Sequence, residues 1–165
     1  MPARIRSRTR RAFGCLSCTT TSGAGRAPAE VLREENDILL ERQRELYTAP
    51  GPLVEKWRTA SGFLDEDIRS GYVRVLWELW AAELADPTFA AGWRSAMAGW
   101  RDLLESVFER WFADNGVDSL LGPRALATLV SNVFEGVEIE LLAGVTDAPH
   151  REVLGALGAR TEAAA

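Results

Sequence analysis

The stretch Pro123 to Val145, PRALATLVSNVFEGVEIELLAGV, decides the fold. On a helix turning about 100° per residue, Leu126, Leu129, Val130, Val133, Phe134, Val137 and Leu141 share one broad face. Ala125, Thr128, Asn132, Gly136, Ile139 and Ala143 form a second strip, made mostly of small residues. One greasy face and one small-residue face suit a helix between two layers. The first packs into a monomer core, and the second is open to a partner subunit. Glu140 breaks the pattern near the edge of the apolar face, close to Val133. A carboxylate there either lines a pocket or bends out to water.

Working outward, every ordered segment reads as a helix. Ala29 to Tyr47 carries Leu32, Leu39 and Leu46 every seven residues, with Val31 and Ile38 beside them and charges between. Ala49-Pro50-Gly51-Pro52 breaks it. A second helix runs from about Pro52 to Ser61 with Trp57 as its anchor. Gly62 and the acids Asp65, Glu66 and Asp67 then predict a turn before a third helix, about Glu66 to Ala85, whose N-terminus the acids favour. On that helix Tyr72, Val75, Leu76, Leu79 and Trp80 share a face, widened by Val73, Trp77 and Leu84. Asp86-Pro87 caps the longest helix, which reaches about Ala113. Its apolar residues from Trp93 to Trp111 keep to a stripe of roughly 140°. After the Pro123 helix, Thr146 or Asp147 before Pro149 opens a last one, to about Arg160. No repeat and no alternating strand pattern is present. The expected fold is an all-α bundle of about six helices.

Charge divides the chain. The first 30 residues hold six arginines (4, 6, 8, 10, 11 and 26) and one acid; the remainder holds thirteen basic against twenty-three acidic residues. An acidic body does not attract phosphates, so only the N-terminal arm is placed to touch nucleic acid, without specificity and with strong salt dependence. Residues 1–28 lack apolar periodicity and read as a disordered basic arm; residues 29–163 read as one helical domain. No apolar run approaches the ~18 residues of a membrane span. The arm also lacks a signal peptide's apolar segment, so a cytoplasmic protein is expected.

The residues that carry chemistry elsewhere are sparse. Cys15 and Cys18 form a lone C-x-x-C without the second ligand pair of a zinc ribbon or the βαβ setting of a redox motif. His150 is the single histidine and is expected to be a surface cap beside Pro149. No Glu-x-x-His and no glycine-rich phosphate loop occur. Neither enzymatic activity nor a metal or cofactor is expected.

The six tryptophans all fall between Trp57 and Trp111. Indoles are large, and a buried N–H needs a partner. Their clustering on consecutive helices fits either a pocket for a small apolar or aromatic ligand or a tryptophan-rich core. The candidate pocket residues are Trp57, Tyr72, Leu76, Trp80, Trp93, Met97, Trp100, Phe108 and Glu140.

Ala127 to Val145 followed by Pro149 to Leu157 resembles the last two helices of the tetracycline-repressor (TetR) family of transcription regulators. There a Val-Phe-Glu-Gly segment runs into Glu-Leu-Leu-Ala-Gly, here Val133 to Gly136 and Glu140 to Gly144. The resemblance covers about residues 30 to 160. It implies a linking helix at Ala29–Tyr47, effector-pocket helices over Pro52–Ala85 and Pro87–Ala113, and a dimerisation pair at Pro123–Arg160. The implied homodimer interface holds Thr128, Asn132, Gly136, Ile139, Ala143, Val153 and Leu157.

The resemblance fails at the N-terminus. The family's DNA-binding head would precede residue 30, and the 29 residues there do not read as a helix-turn-helix. Specific DNA binding is therefore not expected of this chain. The family ends its head with Leu-Tyr-(His/Tyr)-(His/Tyr)-Phe. Were Ser17 to Gly23 encoded by TCC-TGT-ACC-ACC-ACT-TCG-GGN, one permitted choice of codons, the adjacent frame would spell Leu-Tyr-His-His-Phe-Gly. Two accounts follow: residues before about 29 are read out of frame from a TetR-type gene, or they are a true short arm. Resequencing the coding DNA in all three frames separates them. The expected function is a ligand-responsive dimerisation domain with a truncated head; the alternative is a stand-alone helical ligand-binding or scaffold protein.

Overall fold

The computed structural model describes residues 28–85, 90–116 and 118–161. They form α1 (Pro28–Thr48), α2 (Leu53–Ser70), α3 (Tyr72–Ala85), α4 (Ala90–Asn115), α5 (Pro123–Leu142) and α6 (His150–Ala159), with no strand among the described residues. The fold is the expected all-α bundle. The basic arm, Cys15, Cys18 and the Asp86-Pro87 cap lie outside the described residues.

The break between α2 and α3 corrects the sequence reading. α2 runs straight through Gly62 and ends at Gly71, φ 83°, whose N–H bonds back to the Ile68 carbonyl at 3.1 Å. Glycine takes this left-handed conformation without a Cβ penalty, so the chain turns there. Asp65, Glu66 and Asp67 thus occupy the end of α2, not the start of α3, and the helix dipole disfavours acids at that end. Neighbouring helices compensate two of them. Asp67 accepts from Arg42 of α1 at 2.7 Å, and Asp65 pairs with Arg151 of α6. The last helix also differs: α6 starts behind Pro149 with no side-chain cap, so neither Thr146 nor Asp147 caps it.

α4 is the longest helix; it lies along α5 and also touches α1 and α3. α2 crosses the bundle against α1, α3, α5 and α6. Ala127 of α5 is fully buried, and its small side chain lets α4 and α5 approach closely. The core divides into three patches. Tyr47, Ala60, Leu103 and Val107 join α1, α2 and α4. Trp57, Phe108, Ala127 and Val130 join α2, α4 and α5. Leu64, Val137 and Leu154 bring in α6.

Two helix faces are rotated from those read off the sequence. On α5 the inward face centres on Ala127, Val130, Phe134 and Val137, and Leu129 is left exposed. On α1, Ile38 is 61 % exposed whereas Asn36 is buried. Two of the heptad leucines do face inward: Leu39 borders a cavity and Leu46 packs partly against the Tyr47 patch. The stripe of α1 that borders the cavity is Asn36, Leu39, Gln43 and Tyr47, at i, i+3, i+7 and i+11, so polar residues share that face.

Candidate functional site

The cavity lies between α1, α2, α3, α4 and α5 and has a volume of about 140 Å³. α2 contributes Ala60, Leu64 and Asp67, and α3 contributes Tyr72, Val73 and Leu76. α4 lays Trp93, Met97, Trp100, Leu103 and Leu104 along one wall. α5 closes it with Ser131, Phe134, Glu135 and Glu138, spaced to fall on one side of a helix.

Five of the nine pocket residues expected from sequence line this cavity: Tyr72, Leu76, Trp93, Met97 and Trp100. Four do not. Trp57 packs in the core, donating its indole N–H to the Leu154 carbonyl at 2.8 Å and meeting Phe134 edge-on at 5.5 Å. Phe108 is buried in the same patch. Trp80 stands behind the wall, its ring tilted against Trp93 at 5.2 Å and edge-to-face on Trp77 at 4.6 Å. Glu140 points away, half-exposed, with its Oε2 3.4 Å from His150 Nδ1. His150 is itself largely buried, not the surface cap expected of it. The acid facing the interior is Glu138, two positions earlier and about 200° round the helix from Glu140.

The polar wall is what sequence reasoning missed. Asn36 accepts a hydrogen bond from the Trp100 indole at 3.0 Å, and Glu138 accepts one from the Trp77 indole at 3.1 Å. Tyr72 Oη, Ser131 Oγ and Gln43 Oε1 are buried at the cavity with no hydrogen-bond partner among the described residues. Buried polar atoms of this kind are costly unless something pairs with them. Burial pushes the Glu138 carboxyl up to about 7; the Trp77 N–H opposes the shift, and Glu135 and Asp67 add to it. Burial likewise raises Glu135, against the pull of Arg101, and Asp67, against Arg42. Burial holds the Tyr72 phenol above its ordinary range, with Asp67, Glu35 and Glu138 adding to the effect. One signal was available in the sequence: Ser131, Glu135 and Glu138 recur at i, i+4 and i+7 beside Phe134.

A larger cleft of about 550 Å³ lies along the α1–α2 turn, between Thr48, Pro52, Lys56 and Arg110. None of the unpartnered buried polar atoms line it, which makes the smaller cavity the better site.

On the outer side of α5, Asn132, Gly136, Ile139 and Ala143 are exposed and Thr128 is half-buried. Val153 of α6 is 43 % exposed. Leu157 differs from the rest of this set: it packs partly inward against the Trp57 patch. Among the described residues no group of three or more His, Cys, Asp or Glu is arranged to hold a metal ion, and no helix is long and apolar enough to cross a membrane.

No protein-family model, no curated protein and no solved structure matches the chain. Fold and geometry alone define its class: an all-α bundle with an internal cavity of mixed aromatic and polar lining.

Proposed function

We propose that residues 28–161 are a ligand-binding and dimerisation domain of the tetracycline-repressor type. One observation carries the reading: α5 serves two sides. Ser131, Phe134, Glu135 and Glu138 face the cavity, while Asn132, Gly136, Ile139 and Ala143 are exposed on the other side. A ligand held by one side of a helix whose other side meets a partner is placed to bias how two subunits sit together. Such coupling needs unequal ligand affinity for two arrangements of the dimer.

Sedimentation equilibrium tests the reading. The expected result is a dimer that Ile139→Asp converts to monomer, because a charge is driven into an apolar contact. A monomeric wild type overturns the dimerisation half and leaves the second reading, a stand-alone helical ligand binder. The cavity with its unpartnered polar atoms supports that second reading equally.

A further inference from the structure

We propose that the cavity takes a small organic cation, a protonated amine on an apolar body of about one aromatic ring, with Glu138 as its counter-charge. This inference rests on reading the cavity as the ligand site.

Charge is the first argument. Among the described residues three carboxylates line the cavity, from Asp67, Glu135 and Glu138, and no Lys, Arg or His does. Asp67 is already paired with Arg42 at 2.7 Å, and Glu135 feels Arg101. Among the described residues Glu138 is met only by the neutral N–H of Trp77. Such an enclosed carboxylate is unfavourable as an ion until a cation arrives. An anionic ligand would face like charges on both α2 and α5, which costs affinity.

Hydrogen-bonding capacity and shape point the same way. Tyr72 Oη, Ser131 Oγ and Gln43 Oε1 all have unused acceptor capacity, and they come from three different helices. An ammonium group offers three donors and accepts nothing, so it suits that set. Tyr72 and Ser131 are themselves more than nine-tenths buried. Trp93 and Trp100 present indole rings along the α4 wall, and a cation over an aromatic face is attracted to it. A dry cavity of roughly 150 Å³ accommodates a benzene ring, which sets the size of the apolar body.

The test is a charge series of equal shape on the full chain, followed by calorimetry at pH 8: 2-phenylethylamine, 2-phenylethanol and phenylacetate. The amine is expected to bind about tenfold or more tightly than the alcohol, a ratio within reach of one ammonium–carboxylate contact in a desolvated site. Phenylacetate is expected not to bind. From pH 6 to pH 8 the amine's affinity should rise about tenfold, because its binding requires the ionised Glu138, whose carboxyl titrates near 7. The groups around Glu138 are Glu135 on its own helix, Asp67 paired with Arg42, Tyr72, and Arg101 beside Glu135. E138Q should therefore lose both the preference for the amine and the pH dependence, while still binding the alcohol. Should that variant not fold, the wild-type series decides alone. An alcohol that binds as well as the amine overturns the inference and leaves the ligand cavity standing. If none of the three binds, the cavity reading falls with it.

Discussion

Two tryptophan-rich regions of this bundle differ in how their polar atoms are satisfied. Around Trp57, four helices close on one indole. Its N–H is bonded to the Leu154 carbonyl, its ring meets Phe134, and Gly158 leaves no room for a methyl group. Trp93 instead lines a cavity, with Trp77 and Trp80 set edge-on or tilted against it and each other, and the Tyr72 and Ser131 hydroxyls at that cavity lack partners among the described residues. The first arrangement is a packed core. The second keeps room and unspent hydrogen bonds, as a binding site does. The same residue type thus has two uses, decided by what closes over it.

The strongest way to break this contrast is to truncate one indole from each region. Trp57→Ala should cost about 3–5 kcal/mol in urea denaturation, the usual range for a buried aromatic that leaves a cavity. Trp93→Ala should cost less than half as much, since it already borders open space. Equal losses would erase the distinction. A finer probe of the core is Gly158→Ala. Its new methyl would lie 2.4 Å from Trp57 Cδ1, and overpacking of this kind costs ~1–3 kcal/mol. Gly155→Ala, with nothing within 4 Å, is the control and should be neutral or mildly stabilising.

The cavity side predicts an opposite sign. Glu138 has its carboxyl raised from an ordinary 4.5 to about 7. Its contribution to stability is therefore fully present below 4.5 and is lost as pH rises through 7. Glu138→Gln should raise stability at pH 8 by on the order of 2 kcal/mol, with the gain vanishing as pH falls toward 4.5. Thermal melts across that window measure it; a pH-independent effect would mean the carboxyl is well solvated. The smallest effect is expected at Tyr72→Phe. Removing an unpartnered buried hydroxyl should change stability by less than about 1 kcal/mol, in either direction. A loss of 2 kcal/mol or more would show that the hydroxyl has a partner after all.

How far the sequence reaches depends on the signal. Helix identity was legible almost everywhere, because apolar periodicity and the breakers at Ala49–Pro52 and Gly122-Pro123 are local properties. The α2–α3 break was misplaced, because an acidic run imitates a helix start and only its partners Arg42 and Arg151 show that it ends one. Part of the cavity wall was legible: Tyr72, Leu76, Trp93, Met97 and Trp100. Its polar lining was not, since Asn36 and Gln43 sit among charged residues that look like a solvated face.

The residues alone determined an all-α chain with a basic arm, an acidic body and tryptophans gathered into its middle. They also marked α5 as a helix with one apolar face and one strip of mostly small residues. Only the tertiary structure decided that Glu138, not Glu140, faces inward, that Trp57 is core and Trp93 is wall, and that Ile38 is left outside. The physical reason is that a helix's period fixes which side chains share a face, whereas the helices packed against it choose which face is buried.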